Sequence, residues 1–234
     1  MTSNLLLPGL ACDAELFRDQ LPALVAAGHT AQVSTVHTRF DPLPAMAAAL
    51  LSEHPGMLRL IGSSMGGMLA FEVLRQAPGR VAALALLGSS ARADTPELLQ
   101  LRSDAIALFA QGRANEVLRA NVPFALYPHA ERHAALVADY LAMVRRAGDA
   151  QLIAQNRAVM ARADARPLLP GLRCPLLVVC GEDDLLTPLA QSREIAAAVP
   201  GARLELLPRC GHLLTWEQAQ RVNALLLDWL AGLP

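Results

Sequence analysis

The chain has 234 residues, 53 % hydrophobic and 18 % charged, with a formal net charge of −1. That length suits one large α/β domain, with apolar material enough for a sheet buried on both faces; two independent domains would each be small. The near-neutral charge gathers no polyanion and no Lys/Arg cluster interleaves with aromatics, which argues against nucleic acid as a partner.

The opening MTSNLLLPGL has neither the basic leader nor the apolar core of a signal peptide, and no apolar run approaches a membrane span. A cytoplasmic location without a membrane partner is therefore expected. NLLLPGL reads as a short buried strand stopped by Pro8 and Gly9, and CDAELFRDQLPALVAAG follows with the helical spacing of Leu16, Leu21, Leu24 and Val25. TAQVSTVH and PLPAMAAALLSEH make a second strand and helix, MLRLIGSS and MGGMLAFEVLRQA a third pair, and VAALALLGSS a further strand. These strands are apolar runs without polar alternation, as burial on both faces of a parallel sheet requires.

From 92 to 166 the pattern is helical with no strand, and the segment reads as a lid inserted within a single domain spanning 1–234. Alternation resumes with CPLLVVCGEDD, PLAQSREIAAAVPG and ARLELLPRCGH, and EQAQRVNALLLDWLAGL closes the chain as a helix. The total is about six mostly parallel strands flanked by helices.

Gly62, Ser64 and Gly66 match G-x-S-x-G, in which a serine sits on a sharp turn between strand and helix. The frame selects Ser64, because one centred on Ser63 would need glycine at Ile61. Small flanking residues are required because the serine backbone is strained and larger side chains would collide with the adjoining elements. The competing reading is that Ser64 only caps the helix. A serine hydroxyl is a weak nucleophile and needs a base, itself oriented by a third group. LLVVCGEDDLLTP supplies acids after one later strand, and LELLPRCGH places His212 after the last.

On these residues the sequence resembles the α/β-hydrolase family over nearly its whole length, the variable lid excepted. The resemblance implies that GEDD is the family's acid turn, with the carboxylate on its fourth residue; this picks Asp184 over Glu182 and Asp183 and completes a Ser64, Asp184, His212 triad. It also implies an oxyanion hole from the backbone N–H of Met65 and that of Leu10 in PGLAC, where relatives commonly carry His-Gly and this chain has Pro8-Gly9. Many relatives begin with a two-stranded hairpin, whereas only Met1 to Asn4 precede the first strand here, so a fold with no N-terminal hairpin is expected, its free sheet edge open to pairing in a homodimer.

The implied activity is serine hydrolysis of a small carboxylic ester, lactone or thioester through an acyl-enzyme, without a metal or organic cofactor. Two alternatives stand beside it. One is a carbon–carbon bond hydrolase of ring-cleavage products, disfavoured by Leu213 where an aromatic often follows the histidine. The other is a non-catalytic small-molecule-binding protein on the same scaffold.

Among the remaining candidates, Phe109, Phe124, Tyr127 and Tyr140 suggest an apolar lid lining, and Arg157 or Arg162 is a candidate for a substrate carboxylate, with solvent or a structural acid the commoner fate. His129 and His133 are four apart but have no third ligand, which argues against a metal site. Trp216 reads as core or pocket. Cys12, Cys174, Cys180 and Cys210 show no C-x-x-C spacing and read as packed thiols, although Cys12 and Cys210 lie near the proposed site.

Overall fold

The computed structural model describes residues 3–128 and 133–233. Strands β1 (Ser3–Leu7), β2 (Ala31–Val33), β3 (Leu58–Ser63), β4 (Val81–Leu87), β5 (Leu176–Gly181) and β6 (Arg203–Leu207) form one sheet in the order β2-β1-β3-β4-β5-β6. Every neighbouring pair is parallel. All six strands therefore end at the same edge, and the order turns back between β1 and β3, where such sheets open a crevice at their carboxyl ends.

Both faces are packed, which explains the unbroken apolar runs. Leu6, Ile61, Ala83, Ala85, Leu87, Leu177 and Val179 join one core with Leu24 of α1 (Gln20–Ala26) and Val222, Leu226 and Trp229 of α9 (Ala219–Ala231). The alternate residues Leu5, Leu7, Leu58, Leu60, Leu84, Leu86, Leu176 and Val178 join the other. There they meet α2 (Leu43–Glu53), α3 (Met65–Gln76) and α7 (Leu189–Ala198).

Among the described residues between β4 and β5 are three α-helices, α4 (Pro96–Ala110), α5 (Ala114–Ala125) and α6 (His133–Met160), the last interrupted at Gly148. They are anchored on a buried carboxylate: Asp94 receives Arg102 of α4 and Arg162 just past α6, each at 2.7 Å. Arg162 is thus committed to a structural acid and Arg157 is exposed to solvent, the two fates expected to be the commoner for these arginines.

The first helix is shorter than its periodicity suggests. A 3₁₀ turn at Ala14–Phe17, with Asp13 accepting from the Glu15 N–H, precedes α1, because Pro22 is tolerated only in the first turn of an α-helix. The closing helix stands as α9, and a short helix α8 (Leu214–Glu217) precedes it. Trp216 is wholly buried, its indole N–H donating to the Glu15 carbonyl, and so belongs to the core and not to a pocket. Phe124 is 50 % exposed and lines no apolar interior. His129 lies outside the described residues, and His133 Nδ1 lies 3.2 Å from the Tyr127 carbonyl. Among the described residues no three His, Cys, Asp or Glu side chains cluster as a metal would need, and no helix is long and apolar enough to cross a membrane.

Candidate active site

β3 delivers Ser64 into the first position before α3 with φ 53° and ψ −116°, a conformation costly for a residue with a Cβ. The turn closes only because its neighbours lack side chains. A Cβ at Gly62 would lie 2.6 Å from the Gly66 and Gly67 backbone, and one at Gly66 would run into the Leu7 carbonyl. The Ser64 side chain makes no capping hydrogen bond to α3, which removes the reading of this serine as a helix cap. Its backbone is pinned instead: the Ser64 N–H donates to the Leu87 carbonyl at 3.0 Å, and the Ser89 hydroxyl donates to the Ser64 carbonyl at 2.8 Å.

The segment that pins Ser64 also abuts an acid and an imidazole. A Cβ at Gly88, between those two partners, would sit 3.1 Å from Asp184 Oδ2 and 3.4 Å from His212 Nδ1. Asp184 follows β5 and is 2 % exposed, whereas Glu182 and Asp183 face solvent. Its carboxylate is saturated. Oδ1 accepts the backbone N–H groups of Leu186 and Thr187 at 2.9 and 2.8 Å, and Oδ2 accepts the Thr187 hydroxyl and His212 Nδ1–H, each at 2.8 Å.

Burial opposes charge on both partners, yet each outweighs it for the other. His212 is held above its ordinary value by the Asp184 carboxylate, with Glu217 adding to the effect, and Asp184 is held below its own by His212 and the Thr187 donors. With Nδ1 protonated toward Asp184, Nε2 is the nitrogen free to act as a base. The His212 ring bonds within this acid turn, and among the described residues no hydrogen bond joins it to Ser64 Oγ; catalytic bonds of this kind commonly tighten only around substrate.

The loop after β1 reaches the serine from the other side, since a Cβ at Gly9 would lie 3.3 Å from Ser64 Cβ. Leu10 is the next residue. Met65 opens α3, where the helix dipole favours negative charge, while the Gly67 and Met68 N–H groups donate to the Ser64 carbonyl.

Four partners escape a reading by motif. Thr187 sits three residues beyond Asp184, and this D-x-x-T spacing is the one available signal. Ser89 follows the β4 strand end. Glu217, buried in α8, accepts the Gly211 N–H at 3.1 Å and the Tyr127 N–H at 2.9 Å, joining the histidine loop to the end of α5. The Ala125 carbonyl adds the N–H groups of His212 and Leu213 to that junction. Gln155 of α6 holds the loop after β1. The thiols are not poised as nucleophiles: burial pushes Cys12 up to about 12 and Cys180 to about 11, and Cys210 is also raised, so they stay protonated near neutrality, and the Cys12 thiol donates to the Leu10 carbonyl at 3.4 Å.

Residues 37–219 match the family described as the alpha/beta hydrolase fold, and the chain belongs to that family of enzymes. The matched span contains Ser64, Asp184 and His212. RutD of Escherichia coli (strain K12 / DH10B), to which a carbamate hydrolase activity is ascribed, is 32 % identical over 180 residues, covering 74 % of this chain and 66 % of that protein's length. Among solved structures, a thermophilic esterase from Thermogutta terrifontis superposes with a TM-score of 0.90 at 26 % identity, covering all of this chain and 90 % of that one. The enol-lactonase from Burkholderia xenovorans LB400 shares the fold, with a TM-score of 0.84 at 22 % identity over 99 % of this chain and 92 % of the other.

Proposed function

We propose that the chain hydrolyses small carboxylic esters by way of an acyl-enzyme on Ser64. The observation that carries this reading is the strained Ser64 turn, pinned by residues 87 and 89 on either side of Gly88, which itself abuts the buried Asp184–His212 pair. Ser64 Oγ attacks the carbonyl carbon while His212 Nε2 takes its proton, and the N–H groups of Leu10 and Met65 receive the charge that gathers on the carbonyl oxygen. The tetrahedral intermediate collapses, the alcohol departs with the proton from His212, and water repeats the sequence to release the acid. Asp184 keeps the imidazole in one tautomer and steadies its charged form. The three helices between β4 and β5 would then act as a lid over the acyl or alcohol group.

The esterase likeness at 26 % identity supports an ester as substrate. The likeness to RutD supports a second reading, in which the same attack opens a carbamate carbonyl. A panel of p-nitrophenyl esters, lactones, acyl thioesters and aryl carbamates separates the classes. Ser64→Ala should lower kcat on the best substrate by about 10³-fold or more while the melting temperature stays close to the parent's. Retention of most of the activity would remove Ser64 from the chemistry.

A further inference from the structure

The loop after β1 carries a left-handed residue that is not glycine, Ala11 at φ 58°. Something must hold it there. The Ala11 N–H donates to Gln155 Oε1 at 2.6 Å, across 144 residues of sequence, and the Gln155 amide donates onward to the His37 carbonyl at 2.9 Å. The His37 ring closes the circuit, its Nε2–H donating to the Cys12 carbonyl at 2.8 Å, and the Cys12 N–H donates to the Gly9 carbonyl at 3.1 Å. Gln155 is 1 % exposed and His37 4 %, so solvent offers neither of them an alternative partner. Burial holds His37 below its ordinary value, which keeps the imidazole neutral within the circuit.

The consequence lies in the peptide planes. The Gly9 carbonyl and the Leu10 N–H belong to one trans peptide unit and point in opposite directions, so fixing the former aims the latter. The following unit, from Leu10 to Ala11, is held by Gln155 at its N–H and by the Cys12 thiol, at 3.4 Å, at its carbonyl.

We infer that Gln155 is a positioning residue: from the inserted helix α6 it sets the direction of the Leu10 N–H toward the oxyanion, without touching substrate. This rests on the proposed hydrolysis at Ser64. A purely structural amide would lower stability and leave each folded molecule as active as before. A positioning amide alters the transition state more than the ground state, because the hole is used fully only once charge has formed.

Gln155→Met, similar in shape and lacking both hydrogen bonds, is compared with the wild-type protein on the best ester and in the rate of phosphonylation by a fluorophosphonate, both per folded molecule. The expected result is a fall of about tenfold or more in kcat and in phosphonylation, with KM within about twofold. Gln155→Glu, which keeps an acceptor for the Ala11 N–H but cannot donate to His37 when ionised, should fall between the two, and is read alone if the Met variant does not fold. Wild-type kcat and phosphonylation in the variants, or a change confined to KM, overturns the inference while leaving Ser64 chemistry standing. A wild-type protein inert to both esters and fluorophosphonate overturns the hydrolase reading and this inference with it.

Discussion

At the end of β3 the chain is positioned by what it cannot accommodate, whereas at the ends of β5 and β6 it is positioned by what it hydrogen-bonds. Around Ser64 the determinants are steric: a left-handed serine and flanking glycines whose absent Cβ atoms leave room for the Leu7 carbonyl and the α3 backbone. Around Asp184 and His212 they are electrostatic: a buried carboxylate with four donors and an imidazole whose charge it favours. Sterics do not titrate. The two sides should therefore answer differently to added volume and to pH.

The largest effect is expected on the electrostatic side. Asp184→Asn should lower kcat by about 10³- to 10⁴-fold and move the acidic limb of kcat/KM to lower pH, since His212 loses the charge that raises it. In the parent, the raised His212 contributes stability that is complete below its unfolded value of about 6.5 and is lost as pH rises through the folded value. Asp184, depressed on folding, contributes stability that is present above about 4 and is lost as pH falls below it. The proposed mechanism requires neutral His212, so across the His212 titration the melting temperature should fall as the rate rises. Parallel pH profiles of melting and of kcat/KM that rise together would break the contrast.

The next effect is volumetric. Gly66→Ala drives a methyl into the Leu7 carbonyl and should cost about 3 kcal/mol or more of stability, measured by denaturant unfolding, with the same loss at pH 6 and pH 8. An alanine there that melts like the parent would mean that the turn has another way to close.

The smallest sharpens the electrostatic side. Glu217→Gln keeps an acceptor for the backbone donors of the histidine loop but removes a charge that raises His212. The acidic limb should move down by less than about one pH unit with kcat at its plateau nearly unchanged. An unmoved limb would confine Glu217 to holding the loop.

The same division explains what could be read from the sequence. That Ser64, an acid of GEDD and His212 lie just beyond strand ends is legible in the pattern, the choice of Asp184 within GEDD rests on the family resemblance, and Gly62 and Gly66 have a steric reason to be glycine. The six-strand pattern is legible because burial on both faces leaves uninterrupted apolar runs. Gln155 and Glu217 are not legible, because their partners are backbone N–H and C=O groups as far as 144 and 90 residues away, which any sequence offers. The break of the first helix has its cause in Pro22, which the helical spacing of Leu16, Leu21 and Leu24 masks. The fate of Arg162 turned on Asp94, a pairing set by how α4 and α6 pack and not by local pattern.

The central claim is that one hydroxyl among the chain's serines is activated by His212. Incubation with a fluorophosphonate, followed by intact mass and peptide mapping, tests it most directly. The account predicts one adduct per chain on the peptide carrying Ser64, absent in Ser64→Ala and formed far more slowly in His212→Ala. An adduct on another residue, or an undiminished rate without His212, would contradict it.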